Sequence, residues 1–432
     1  MNSTSTSEGA YSISGVTERN YHGTGVVLDP VRGLVAVDRN TVPVALGDVR
    51  LTFAGTIQVD GTVEYVHPLH NLAVIRYDPR QLGETPVRAV KFADRMPATG
   101  ETIHVVGLQA DNRVASQQAV VSSIGPVGFP LSRTLQFRDA NLEIVRLVNG
   151  PSDFDGVIVD KRGDVAALWS SFAYEQDREL VQQNMGVPAA LVQEMLEYAR
   201  GERTLYSAEV EYGLLSLAEA RQLGLDEAWI DRVTAHNPKR RTVLTIDRIV
   251  AGSPAAALLE PGDLLLAIDG KVVNSFADAS AAVGAPEVTL TIWRAGKEMT
   301  LPLKTVVLSG HDVDRVLVWA GATLQAPHRA MAVQRGIEPK GVFIAFFMYG
   351  SPASRYKLWA GRRITEVDGI PVDDLDAFIR AVSGRPDDAS IRLKTVSWNG
   401  SVEITTLRLD QHYWPAYELR LTDAGWKRIP LD

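Results

Sequence analysis

The residues best equipped for covalent chemistry lie in one short stretch. It runs Gly150-Pro151-Ser152-Asp153-Phe154-Asp155-Gly156 and is followed by a strand, a Lys161-Arg162-Gly163 turn and a second strand. Ser152 offers a hydroxyl that attacks a carbonyl only if a base takes its proton, and His67, His70 and His104 are the imidazoles to consider. His70 directly precedes Asn71, and neighbours along a strand point to opposite faces, so only one of the two can face a given site. His67 and His104 read as half-buried strand or loop histidines, and Ser152 as a turn residue after Pro151. A serine mechanism needs several such groups to converge within hydrogen-bond reach. The chain has no cysteine, which removes thiolate nucleophiles, disulfides and thiolate metal sites. Its eight histidines are scattered without a spacing such as H-E-x-x-H, so neither a metal nor another cofactor is expected.

The elements that must position these groups follow from the rest of the chain. With 432 residues, about three domains are expected. A hydrophobic fraction of 45% and a charged fraction of 22% are those of a globular protein. The net charge of −8 argues against nucleic acid as a partner, and Lys239-Arg240-Arg241 is too short to track phosphates and reads as a solvated loop. The opening twenty residues carry no apolar signal core and no run is long enough to span a bilayer, so a cytoplasmic location is expected, with the nucleus open to it in a eukaryote. Residues 1–19, rich in Ser, Thr and Gly, read as a flexible segment, with Met1 at the edge of a fragment or of a once longer chain.

Residues 20 to 172 are a succession of short β-branched or alternating runs, among them "TGVVLD", "NLAVIRYD", "LEIVRLV" and "GVIVD", without a helix of crossover length between them. A β-barrel or sandwich architecture follows. From Asp177 to Glu202 apolar residues such as Leu191, Met195 and Leu196 recur at helical spacing and Arg200-Gly201 reads as a C-cap, which predicts the helix that ends the first domain. Beyond it the chain repeats: Ala251–Val283 matches Tyr349–Val382, with Gly252-Ser253-Pro254-Ala255 against Gly350-Ser351-Pro352-Ala353 and Asp269-Gly270 against Asp368-Gly369. Each copy reads as strand, short helix, strand, Asp-Gly turn and longer helix.

These copies resemble PDZ domains in the HtrA/Deg arrangement, whose signature is G-S-P-A followed by P-G-D and a D-G turn. The resemblance implies that Tyr212, Gly213, Leu214 and Leu215 form a loop whose N–H groups hold a peptide's terminal carboxylate, with the peptide adding a strand to the sheet edge. It implies further that Phe276, Ala279 and Val283 line a pocket for the last side chain. In the second copy Gly321, Ala322, Thr323 and Leu324 stand at the corresponding place, and Arg362-Arg363 replaces Gly-Asp. A module that binds nothing, with the loop as a plain turn, is the alternative in each copy.

The whole order resembles HtrA-like serine proteases, and most closely the degenerate C-terminal half of the tandem HtrA-like proteins of fungi and plants. The stretches that carry this are "NYHGTGVVLD", "GLVAVDRNTV", "VHPLHNLAVIRYDP", the Gly150–Gly156 loop and "DQHYWPAYEL". The implied fold is mainly β with some α: a chymotrypsin-like double β-barrel at 20–203, PDZ domains at 204–306 and 307–410, and a tail at 411–432. The alignment places Asn40 at the catalytic histidine, Asn71 at the catalytic aspartate and Phe154 at the nucleophile. An amide takes no proton near neutral pH and a phenyl ring has no lone pair, so a catalytically inactive relative is expected, binding C-terminal or unfolded peptides in protein quality control. An active HtrA-like protease half, or a homo-oligomer such as a trimer, are the further partners the resemblance implies. A serine endopeptidase rebuilt around Ser152 is the rival reading.

Overall fold

The computed structural model describes residues 2–5, 19–43, 46–109, 111–131, 137–176, 179–311, 313–327, 332, 335–422 and 425–431. Seven N-terminal strands, β1 (Asn2–Ser5), β2 (Arg19–His22), β3 (Val26–Asp29), β4 (Leu34–Val37), β5 (Asp48–Phe53), β6 (Ile57–Val66) and β7 (Ala73–Tyr77), form one antiparallel sheet in the order β2-β1-β5-β6-β7-β4-β3. Of the opening segment expected to be flexible, Asn2–Ser5 is thus a strand, and residues 6–18 lie outside the described residues. Next come β8 (Thr102–Leu108), β9 (Val114–Pro126), β10 (Glu143–Val148), β11 (Asp155–Val159), β12 (Val165–Gln176) and β13 (Glu179–Pro188), which close a barrel in the order β10-β13-β12-β11-β8-β9.

The helix expected from Asp177 to Glu202 is half strand. Glu179–Pro188 pairs with β12 from Gln176↔Glu179 to Ala167↔Pro188, and only Ala189–Ala199 is helix α1. The residues that suggested a helix, Leu191, Met195 and Leu196, all lie in α1, while upstream the barrel ladder overrides local preference. The C-cap falls where read, with Arg200 as cap and Gly201 at φ 69°. One core (Leu28, Leu34, Val74) on the N-terminal sheet meets Ile144, Leu168 and Met185 of the barrel and Val192 and Met195 of α1, so the cleft between sheet and barrel has an apolar floor.

The first repeat copy builds a sheet from β15 (Val210–Ser216), β16 (Thr242–Ile249), β17 (Leu264–Ile268), β19 (Glu287–Arg294) and β20 (Lys297–Lys304), in that order, with β18 (Lys271–Val272) beside β17. Separately, β14 (Tyr206–Ser207) pairs with β21 (Val306–Val307). Helices α2 (Leu217–Gln222) and α3 (Glu227–His236) are inserted between β15 and β16, and α4 (Phe276–Ala282) follows the Asp269-Gly270 turn. Both turn residues have positive φ, 48° and 75°, as a tight hairpin requires. The second copy contains β22 (Arg315–Trp319), β23 (Ala322–Gln325), β24 (Val342–Phe347), helix α5 (Pro352–Arg355), β25 (Arg363–Val367), β26 (Ile370–Pro371), helix α6 (Leu375–Val382), β27 (Ser390–Val396) and β28 (Val402–Arg408).

The segment read as a separate tail forms β29 (Tyr417–Thr422) and β30 (Gly425–Pro430), which extend that sheet in the order β28-β27-β25-β24-β23-β22-β29-β30. The substitution read as Arg362-Arg363 for Gly-Asp is shifted by one. Gly361 keeps the place of Gly262, each donating its N–H to the strand before, to Ile344 and Ile246. Arg362 therefore stands where the first copy has Asp263, which is bound by Arg294. Among the described residues no helix is long and apolar enough to cross a membrane.

Candidate functional sites in the cleft and at the PDZ edges

The structure brings Asn40 and Asn71 together on one residue that sequence reasoning missed, Ser171 on β12, and links Phe154 to it through Asn184. Asn40 donates from Nδ2 to Ser171 Oγ over 3.0 Å, and Gln182 Nε2 donates to the same oxygen over 2.6 Å. Asn71 donates from Nδ2 to the Ser171 carbonyl over 2.7 Å, and its Oδ1 accepts the Arg39 N–H over 2.8 Å. Asn184, directly across from Ser171 in the β12–β13 ladder, donates to the Phe154 carbonyl over 3.2 Å and to Asp155 Oδ1 over 3.0 Å. The Phe154 ring sits in the barrel core among Ile103, Val105, Val121, Ile158 and Trp169 and is 7% exposed. The loop before it is pinned by Trp169 Nε1, which donates to the Pro151 carbonyl over 3.0 Å.

A buried carboxyl, Asp38, and a half-buried one, Asp155, flank this amide cluster. Asp38 accepts from the Thr41 N–H over 2.8 Å and the Ser171 N–H over 3.1 Å, yet burial still raises its carboxyl above the usual range. Burial, and after it the Asp38 charge, push Asp155 up to about 7. Deeper, the Asn71 N–H is held by Asp139 over 2.6 Å, and burial pushes that carboxyl to about 7 as well. The cleft thus presents the carboxamides of Asn40 and Asn71, with carboxyls raised by burial beside them.

Ser152 is exposed, and the cavity it borders holds none of the histidines considered as bases. That cavity measures about 470 Å³, and its walls include Asn149, Trp169, Gln182, Gln183 and Asn184. His67 and His70 are buried and stacked with ring centroids 4.5 Å apart. The N–H groups of Leu69 and His70 donate to His67 Nδ1 over 3.2 and 3.1 Å. Burial lowers both imidazoles, His70 to about 4 and His67 well below its ordinary value. His104 is exposed on β8, opposite Gln118 and Val159.

At the first PDZ module, Tyr212, Leu214, Phe276, Ala279 and Val283 share one core cluster, whereas Leu215 points to the other face with Leu217, Trp229 and Val243. The Tyr212 and Phe276 rings are 6.2 Å apart. Gly213 has Thr245 and Asp247 so close that a Cβ would lie 2.4 Å from the Asp247 carboxylate. Strand β15 pairs with β16 and ends its sheet. A cavity of about 730 Å³ separates this edge from the barrel, with Phe129, Arg146 and Tyr174 on one wall and Gly213, Leu214 and Phe276 on the other.

Across that junction Asn141 of the barrel accepts the Tyr212 N–H over 2.8 Å and donates to the Val210 carbonyl over 2.9 Å. Arg138 pairs with Glu211, both buried, Arg248 lies 3.2 Å from the same carboxylate, and Glu143 accepts the Phe276 N–H over 3.1 Å. No pattern in the sequence marks Asn141, Arg138 or Glu143, because their partners are about seventy or more residues away.

In the second module the register differs from the one read in the sequence. Tyr212 opposes Ile246 and Gly213 opposes Thr245, while Leu324 opposes Ile344 and Gln325 opposes Phe343, each 98 residues further on the partner strand. A bulge precedes Tyr212 and Leu324 alike, so Leu324-Gln325, rather than Gly321-Ala322, hold the places of Tyr212-Gly213. Gly321 instead matches Glu209: its carbonyl accepts from Met348 as that of Glu209 accepts from Val250.

Residues 245–294 match the family model described as a PDZ domain. Protease Do-like 7 of Arabidopsis thaliana is 31% identical over 96% of this chain and 42% of its own length. PDZ domain-containing protein C23G3.12c of Schizosaccharomyces pombe is 31% identical over 97% and 43%. Pro-apoptotic serine protease NMA111 of Phaeosphaeria nodorum is 30% identical over 96% and 42%. Among solved structures, HtrA-type protease AlgW with tripeptide is 17% identical, with a TM-score of 0.48 over 71% of this chain and 93% of that one. The chain therefore spans less than half the length of these curated relatives, and over nearly all of its own length it is a homologue of the HtrA-like serine proteases.

Proposed function

We propose that this chain works without cleaving peptide bonds, as a binding or regulatory member of its family that captures peptide C-termini at the open edge of β15. One observation carries the first half: Asn40 and Asn71 are locked by hydrogen bonds to Ser171, and the Phe154 ring fills the barrel core. None of these groups accepts a proton or forms an acyl bond. The edge of β15 beyond Tyr212, which no other strand pairs and which lies above a cavity of about 730 Å³, supports the second half, since strand addition needs a free edge and space for alternate side chains. Tyr212 N–H, held by the neutral Asn141 carbonyl oxygen, is a donor that an incoming carboxylate can take over, because an ionised acceptor makes the stronger bond. An active HtrA-like half on another chain, or assembly into a trimer, completes the proposal; this chain spans 42% of the length of Protease Do-like 7.

The test combines unfolded casein with a fluorophosphonate probe and a pair of peptides with free and amidated C-termini. No cleavage, no labelling and binding that is lost on amidation support the reading. Labelling of wild type that disappears in Ser152→Ala establishes the rival endopeptidase, and binding indifferent to amidation removes the carboxylate nest. Light scattering coupled to size exclusion gives the subunit number.

A further inference from the structure

We infer that the second PDZ module carries its own ligand, strand β22, so that strand addition is confined to the first module. The confinement rests on the peptide-capture reading above, whereas the occupancy of the second groove does not.

Strand β23 corresponds to β15 by its register against β24, as shown above. Its other edge, which in β15 meets no strand and is held at Val210 and Tyr212 by the Asn141 side chain, is paired with β22: Leu317 opposes Leu324, Val318 opposes Thr323 and Trp319 opposes Ala322. Leu324 holds the place of Tyr212, so the ladder covers the first of the four positions expected to receive a carboxylate. The direction is that of a captured peptide, antiparallel to β23 with its C-terminal end toward the start of that strand. Leu317 and Trp319 are 0% and 3% exposed, and the Trp319 ring meets Phe378 edge-on at 5.2 Å. Phe378 stands in α6 where Ala279 stands in α4, as the capping residues Ser275 and Asp374 fix the alignment.

Charge and topology seal the arrangement. Arg315 binds Asp376 of α6 over 2.7 Å and Glu418 of β29 over 2.6 Å. The outer edge of β22 is in turn taken by β29, from Arg315↔Arg420 to Val318↔Tyr417. What remains is a cavity of about 220 Å³ bordered by Asp314, Arg315, Gln325 and Asp374. Its two aspartates disfavour an incoming carboxylate, and its arginine is already paired.

The cause is local. Ala320 and Gly321, with φ of 51° and 77°, make a two-residue turn that folds β22 onto β23. In the first module Ser207 Oγ instead accepts the Glu209 N–H over 2.9 Å, and the preceding strand β14 pairs with β21, away from β15. A strand tethered by two residues competes at an effective concentration of about millimolar or more, which a free peptide at micromolar concentration does not displace.

Hydrogen-exchange mass spectrometry of the full chain, alone and with an excess of a peptide ending in a free apolar residue, tests this. Free chain is expected to show Val316–Trp319 protected as strongly as β24, and Trp319→Ala to speed exchange there about tenfold or more while β19 stays unchanged. Added peptide is expected to protect Val210–Ser216 and not Ala322–Gln325, which stands where Val210–Gly213 does, with one peptide bound per chain by calorimetry. Rapid exchange of Val316–Trp319 in the free chain, new protection at Ala322–Gln325, or two peptides per chain overturns the inference. If no peptide binds, the capture reading fails by itself, and the exchange of Val316–Trp319 alone still decides whether the groove is filled.

Discussion

Asp155→Asn interrogates the electrostatics of the substituted cleft directly. In the folded chain burial and Asp38 keep this carboxyl protonated up to about pH 7. In the unfolded chain it loses its proton near ~3.9. Between these values the folded state binds more protons than the unfolded state, so stability falls as pH rises and the loss is complete above the folded value. The gap corresponds to about 4 kcal/mol at its full extent. Asparagine keeps an oxygen for Asn184 Nδ2, 3.0 Å away in the wild type, and has no charge to bury. The variant is therefore expected to match wild type near pH 4, to gain about 1.4 kcal/mol per pH unit above it, and to be about 3–4 kcal/mol more stable at pH 8.

Asp139, at about 7, and His70, at about 4, titrate in both chains and cancel in the difference. Asp38, relieved of a neighbouring charge, ionises more easily in the variant and adds to the same sign. Urea titrations from pH 5 to 8.5, read by pulsed hydrogen exchange in peptides covering β11 and β12, confine the measurement to the barrel. Parallel curves at all pH values, or a variant less stable than wild type at pH 8, refute the argument.

Phe154→Ala is expected to cost about 3–5 kcal/mol in the same barrel peptides by opening a void beside Ile103 and Trp169. Phe154→Ser is expected to cost at least as much and to restore no fluorophosphonate labelling, because Asn40 and Asn71 still supply no base. On the acid side, His70 is buried neutral, so wild type loses about 3 kcal/mol as pH falls from 6.5 toward its folded value of about 4. His70→Gln is expected to lose that much less over the same range, as acid unfolding followed by circular dichroism would show. Arg138→Ala exposes the cost of a buried carboxylate without its partner. Because Arg248 remains 3.2 Å from Glu211, the effect is expected to fall below the about 3–5 kcal/mol of a fully orphaned charge, and is read as faster exchange of Val210–Tyr212.

What could be read from the sequence was set by local chemistry. The Asp269-Gly270 and Asp368-Gly369 turns, the Ser-Pro-Ala helix starts and the Arg200-Gly201 stop each state their backbone conformation in two or three residues. The resemblance also singled out Asn40 and Asn71, whose side chains both bind Ser171. Ser171, the residue they share, carries no local mark, because its role comes from a contact with Asn40 that spans 131 residues. Strand β13 was hidden because apolar spacing in Glu179–Pro188 suits a helix until the barrel supplies a partner strand. The second module was misread by three places, with Gly321 taken for the position that Leu324 holds, because that position is fixed by the pairing with β24 and not by the loop residues themselves. The closed edge at β22 depended on which way the chain leaves a two-residue turn, which only the tertiary partners decide.

Gly310 has the Tyr65 ring so close that a Cβ would overlap it at 1.9 Å, and its carbonyl accepts the Val66 N–H over 2.7 Å, which ties the linker between the PDZ modules to the N-terminal sheet. Leu46 and Phe137 then reach Val313, Val316 and Leu419 of the second module, while Arg138 and Asn141 hold the first. Linked in this way, the domains resemble a closed triangle of struts rather than beads on a thread. Three separate joints therefore hold the two modules and their linker against the N-terminal domains, and breaking one leaves the other two in place.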